Sequence, residues 1–363
     1  MIAIRDVAGE AWRNLISGAT RAFIALAAFV MLVGGIGLLQ VRGLVDVAVA
    51  AGQFEASGAV VQVLNAPGRI DGAQCEALSS YSGIASSGAL RAGEDIRLAA
   101  LPSTALHTFE ATPGLAAVLG VSSTATATSQ GVWLSGEFAE VIGADSEPLI
   151  LPLLDGGSIT TSGMFAYPSD GRLPALSYTL VSPVPATGAF DACWVRIWPE
   201  DDTAFNLLLL PWRPSGSRDE TEMPRPQQLN TTLGIGFDAS RKLAAQPVWP
   251  LTFAAIGVGA VLGFATIRTR RLELASTLHA GLDKTALITQ VGLETAVWVL
   301  LGCLLLTPAL GITAAINNPD PIWSAWYPGL RTVFCAGLTA LFGAVLAAAT
   351  TQEKHLFRYF KQR

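Results

Sequence analysis

Twenty consecutive residues without a charge, AFIALAAFVMLVGGIGLLQV at positions 22–41, set the strongest limit on what this chain can fold into. At 1.5 Å of rise per residue, a helix of that length covers the roughly 30 Å hydrocarbon core of a bilayer. Arg21 and Arg42 bracket it. Three further runs of the same kind follow at 248–267, 285–310 (interrupted by Glu294) and 331–350. Only 14% of the 363 residues are charged, against about a quarter in ordinary soluble domains. Spans alone would carry still less charge, so a substantial water-soluble part is also required.

Four spans put both termini on one side, and Lys and Arg in the short loops decide which. Arg5, Arg13 and Arg21 precede the first span. Arg268, Arg270, Arg271 and Lys284 lie between the second and third, and Lys354, Arg358, Lys361 and Arg363 follow the fourth. The 311–330 loop has no basic residue, and Trp249, Trp323, Trp326 and Tyr327 belong to the opposite interface. The expectation is a cytoplasmic N-terminal segment (1–21), a cytoplasmic loop (268–284) and a cytoplasmic tail (351–363), with residues 43–246 outside. A secretory signal cleaved near VAVA (47–50) is the alternative for the first span, but the apolar run exceeds the usual h-region.

Residues 43–246 carry 10 Lys+Arg against 21 Asp+Glu, and the remainder 13 against 7. An acidic outer part on a basic membrane anchor argues against nucleic acid as a partner. Within 58–236, β-type runs recur at 60–64, 96–101, 131–135, 149–154, 177–182, 193–198 and 205–210. Short helices are expected at 71–81, with Asp71 as N-cap, and at 136–144. The fold class expected is therefore four transmembrane helices plus an α+β extracytoplasmic domain. Its flanks, 42–57 and 237–247, read as helical stalks or as flexible linkers. The segment 213–230 reads as a solvated, Pro-rich connector.

Cys75 and Cys193 are the two cysteines expected outside the membrane, and they are expected to pair; two buried free thiols are the alternative. Cys303 and Cys335 fall in spans, where a cysteine acts as a small hydrophobe. The histidines His107, His279 and His355 are scattered, and HExxH, Walker A and GxSxG patterns are lacking. The clusters Glu200-Asp201-Asp202 and 219–222 read as solvated acids. No catalytic, metal or cofactor site is assigned. Glu294 is the one acid inside a span, a costly placement that points either to buried hydrogen-bonded packing or to proton coupling. Gly259 and Gly263 form a GxxxG, and Ala336, Ala340 and Ala344 repeat the small-residue spacing on which helices approach closely, within the chain or between copies.

RTRRLELASTLHAGLDK, 268–284, is a short charged stretch between two spans, with Leu272, Leu274, Leu278 and Leu282 as an apolar stripe. Arg270, Arg271 and Glu273 are expected toward solvent or a partner. Such a helix lies flat at the membrane surface or docks into a groove on another protein. Together with AWRNLISGATR (11–21), RRLELASTLHAGLDKTALITQVGLE (270–294) resembles the permease subunits of MacB/FtsX-type (type VII) ABC transporters. GVWLSGEFAEVIGA (131–144) is similar to part of the MacB outer domain. Arg271, Glu273, Leu274, Ala275, Gly281 and Glu294 fall on the family pattern, while Leu278 and His279 depart from it.

The resemblance implies a bacterial cell-membrane permease that is not itself an enzyme. Two copies of a separate ABC ATPase subunit would bind ATP and Mg. A second permease copy, identical or related, would complete the assembly. Arg270, Arg271, Glu273, Leu274, Leu278 and Gly281 would form the ATPase coupling contact. Nucleotide-driven closure would be relayed as motion of the outer domain, for export or extraction of a lipid, peptide, antibiotic or lipoprotein. The alternative is an FtsX-like regulator whose outer domain activates a cell-wall hydrolase, an extracytoplasmic protein partner.

Overall fold

The structure, a computed structural model, describes residues 9–14, 21–122, 131–143, 149–214 and 223–352. Arg5, the tail from Lys354 onward, His355 and the acids at 219–222 lie outside the described residues. The chain divides into two compact units, Met1–Ala50 with Ser240–Arg363, and Ala51–Ala239.

In the first unit, four helices among the described residues are long and apolar enough to cross a membrane. Helix α1 (Ala22–Ala56) runs for 35 residues, about 52 Å at 1.5 Å per residue and longer than a hydrocarbon core. Proline is missing between its apolar run and its end, and Arg42 pairs with Asp46 one turn on at 2.9 Å, so nothing stops the helix at the charged boundary. The others lie later in the chain. A short helix, Ala239–Ala245, precedes the second apolar helix, Val248–Arg268. Pro247, which has no N–H to donate, separates them.

Helices Val248–Arg268 and Trp323–Thr350 pack along a seam of small residues. A Cβ added at Gly259 would collide with the Ala336 carbonyl oxygen, one at Gly263 with that of Ala340, and one at Gly343 with that of Ala260. Backbones this close also exchange a side-chain bond, Thr339 Oγ1 donating to Ile256 O at 2.9 Å. The small-residue spacing is thus used between two spans of one chain. Further along, Thr332 Oγ1 donates to Gln40 Oε1 at 2.7 Å and shares a 2.8 Å hydrogen bond with Thr252 Oγ1, so three spans meet at one buried polar point.

The second unit is built on a nine-stranded sheet among the described residues. Its strands are β1 (Val61–Asp71), β2 (Ile84–Ala92), β3 (Thr108–Ala111), β4 (Val132–Ser135), β5 (Ile150–Pro152), β6 (Ser158–Phe165), β7 (Leu180–Pro183), β8 (Ala189–Ile197) and β9 (Gln227–Gln228). They lie in the order β5-β6-β4-β7-β3-β2-β8-β1-β9. Only β3–β7 and β4–β6 are parallel, so the sheet is mixed and βαβ repetition does not organise it. One apolar cluster gathers Leu64, Ile70, Leu78, Phe190 and Val195, and another Leu98, Leu134, Phe138 and Leu180.

Two of the strand expectations fail here. The run 205–210 belongs to a helix, Asp202–Leu207, and the turns after it. Asp201 Oδ1 accepts the Thr203 N–H at 2.8 Å and starts that helix against the β-type pattern. The run 96–101 makes isolated bridges, Ile96 with Leu106 and Leu98 with Leu153, and no strand. The connector at 213–230 contains β9, which pairs Gln228 with Gln62.

Asp71 caps helix α2 (Gly72–Ala77), its Oδ1 accepting from Ala73 N at 3.0 Å and Gln74 N at 3.2 Å, and it also pairs with Arg213. Burial raises its pKa, but the Gln74 N–H and Arg213 outweigh that and hold it below the usual value. A depressed folded-state pKa contributes stability that is complete above the unfolded value, about pH 4, and disappears as pH falls through the folded one. Asp71→Asn is therefore expected to flatten the acid limb of thermal unfolding between about pH 4 and pH 2, and to cost about 1 kcal/mol at neutral pH. Unchanged acid sensitivity in the variant would show that other carboxylates set it.

Candidate coupling site at the charged turn

After Val248–Arg268 the chain turns through Thr269 and Arg270 into a nine-residue helix, Arg271–His279. The turn after that helix runs through Gly281, at φ +98°, a conformation that suits glycine, and the third apolar helix begins at Lys284. The short helix buries Leu274 and Ala275. With Leu278 and Leu282, Leu274 packs against Ile267 of the second span, Leu287 and Val291 of the third, and Ala344, Ala347 and Ala348 of the fourth. Three leucines of the stripe, Leu274, Leu278 and Leu282, therefore face the chain's own membrane helices, and Leu272 lies outside that cluster. Glu273, Ser276, His279 and Ala280 are exposed, and Arg271 is half-buried.

Arg270 corrects the sequence expectation most clearly. It was expected to face outward, but its side chain is only 7% exposed. Nη1 donates to Glu294 Oε2 at 2.8 Å, Nη2 to Glu273 Oε1 at 3.0 Å and Nε to Glu273 Oε2 at 3.2 Å. Glu294, itself 4% exposed, also accepts from Asn14 Nδ2 at 2.9 Å and from Gln290 Nε2 at 3.3 Å. Burial alone would lower the Arg270 pKa; hydrogen bonds to Glu273 and Glu294 reverse that and raise it. The guanidinium is fully charged and clamps two carboxylates, one buried and one half in water.

This geometry satisfies an intramembrane carboxylate with three donors, which is what makes its burial tolerable. Glu294 is thus buried and hydrogen-bonded. It also joins three pieces of chain: the helical residues 9–14, the turn before the short helix, and the third span. Asn14 carried no sequence signal for this contact. The i,i+3 spacing of Arg270 and Glu273 could have indicated their pair, whereas Arg270 and Glu294 are 24 positions apart, and only the fold brings them together.

The sequence-derived positions thus separate. Arg270, Leu274 and Leu278 hold the short helix to its own chain. Glu273, Arg271 and Gly281 remain at or near its outer side. Gly259 and Gly263 lie in the seam between the second and fourth spans. Cys75 and Cys193, in the other unit, form a disulfide that ties α2 to β8. Among the described residues no group of three or more His, Cys, Asp or Glu could hold a metal ion.

No protein-family model matches the chain, and no curated protein matches it. Solved structures do. The periplasmic region of MacB from Actinobacillus actinomycetemcomitans is 15% identical at a TM-score of 0.31, covering 41% of this chain and 80% of that one. The extracellular domain of the noncanonic ABC-type transporter YknZ from Gram-positive bacteria is 12% identical at a TM-score of 0.31, covering 46% of this chain and 98% of that one. At such scores the likeness carries no function by itself.

Proposed function

We propose that this multi-pass membrane protein is the permease subunit of an ABC transporter of the MacB/FtsX type, driven by a separate ATPase. The observation that supports this reading best is the Arg270–Glu294–Asn14 cluster beneath the short helix. A helix that merely rests on the lipid surface needs no buried ion pair to hold it. One that must pass a push to the spans does, because a load applied to its outer face reaches them only through fixed contacts. In this reading the loop is cytoplasmic, Ser276, Ala280 and Glu273 meet the ATPase, and the 35-residue helix relays the movement to the outer domain. The cargo is one of the lipophilic or peptide classes named above.

The test is co-expression with a Walker-type ABC ATPase, chosen by its copurification with the chain, with ATP turnover measured in nanodiscs. Ser276→Trp and Ala280→Trp place bulk on the exposed side of the helix without touching the Arg270 cluster. Both are expected to lower chain-stimulated turnover at least several-fold, as loss of a packed interface contact does. Unchanged turnover with unchanged complex yield would remove the coupling assignment. Labelling of Lys284→Cys from the same side as the domain holding Cys75 would remove the topology.

A further inference from the structure

The second unit contains a cavity of about 520 Å³, inside the range of small-molecule sites. One wall is aromatic: the rings of Phe54, Trp198 and Phe237 lie 5.4–6.3 Å from one another. Phe205, Leu229 and Ile235 continue an apolar lining. Ile235 is 91% exposed at the mouth, on a loop whose Gly234 and Gly236 have φ of +99° and +80°. An isoleucine held that far into water gains by being covered.

The charge of the lining is one-sided. Glu200 is the single ionisable residue among the described residues that line the cavity. Its place is fixed, since Phe237 N donates to Glu200 Oε2 at 3.0 Å, beside the aromatic wall. The other polar lining groups are neutral: Gln62, Gln227, Gln228 and Thr231. Asp201 stands next in sequence and caps the following helix. The whole 43–246 segment, with 21 acidic residues against 10 basic, gives a field that draws cations and repels anions.

We propose that this cavity binds an amphiphilic cation, a hydrophobic body bearing one amine or quaternary ammonium group, with the body against the aromatic wall and the charge at Glu200. An anionic lipid would meet a carboxylate and no basic partner, and a neutral chain would leave the carboxylate unused. The proposal rests on the permease reading insofar as it names the class of cargo, but the binding itself needs no ATPase.

The test uses the full chain in nanodiscs and calorimetric titration with probes sharing one body: phenylpropyl-trimethylammonium, phenylpropanol and phenylpropanesulfonate. The cation is expected to bind saturably and about tenfold more tightly than the alcohol, as a charge-assisted contact provides, with the sulfonate weakest. Glu200→Gln, which still accepts from Phe237, is expected to bring the cation down to the alcohol's affinity. Thr231→Trp fills an exposed part of the lining and should abolish both. Ile235→Ser changes a side chain already in water, so folding is not at stake, and should weaken both several-fold. Equal affinity for the three probes, a cation preference that survives Glu200→Gln, or no saturable binding would each overturn the proposal. Such a failure leaves ATPase coupling intact, and a loss of coupling in the helix variants leaves this binding intact, so the two readings fail separately.

Discussion

Glu294→Leu is expected to destabilise the membrane unit by about 3–5 kcal/mol, because it leaves a buried guanidinium facing hydrocarbon with one half-solvated carboxylate. Arg270 is 7% exposed and loses its 2.8 Å partner, while Asn14 and Gln290 lose the acceptor they share. The double variant Arg270→Met, Glu294→Leu removes both charges together and is expected to recover most of the loss, since an apolar pair of similar volume often matches a buried ion pair. Thermal unfolding in nanodiscs across the four corners of this cycle measures the coupling between the two residues. A double variant no more stable than the worse single variant would show that the cluster does not act as a pair. If the proposed function holds, the rescued double variant still loses ATPase stimulation, because an apolar contact slides where an ion pair does not.

The second large effect lies in the other unit. Cys75 and Cys193, 118 positions apart, close most of that unit's chain into one loop. On chain-entropy grounds a loop of this size contributes about 4–5 kcal/mol. Cys75→Ser with Cys193→Ser is expected to lower the outer domain's unfolding temperature by roughly 10–20 °C, the shift such a loss gives in a domain of about 190 residues. The same shift is expected on reduction of the parent chain, and none on reduction of the double variant. Both sulfurs sit in the cluster around Leu64, Leu78 and Phe190, so two serines would also bring hydroxyls into it; Ala at both positions separates that cost from the cross-link. If the Ala pair unfolds at the parent's temperature, the cross-link contributes nothing.

The membrane helices were legible because a span is announced by length and lack of charge, both properties of a single segment. Asp71 as a cap was legible for the same reason: its partners, Ala73 and Gln74, are its neighbours. What escaped was non-local. Strand β2, IASSGALRA, has few β-type residues and exists because β3 and β8 flank it, while Gly88 lets Leu115 approach so closely that a Cβ there would strike its backbone. Leucines at 207–210 look like strand because they are greasy, yet the Asp201 cap makes 202–207 helical. At the candidate site the charges of the loop were visible, but their direction was not. Amphipathic spacing placed Leu274, Leu278 and Leu282 on one face but not Leu272, and the same reasoning sent Arg270 outward, because a pattern within nine residues contains no information about a carboxylate on the next span.

The seam of glycines and alanines has a mechanical result. With carbonyls of each helix seated where the other has no side chain, the second and fourth spans behave as a single beam: neither tilts nor slides without dragging its mate. The short helix rests against the ends of both. On the proposed reading, force arriving there would enter that doubled cross-section directly, and the third span through the Arg270–Glu294 pair.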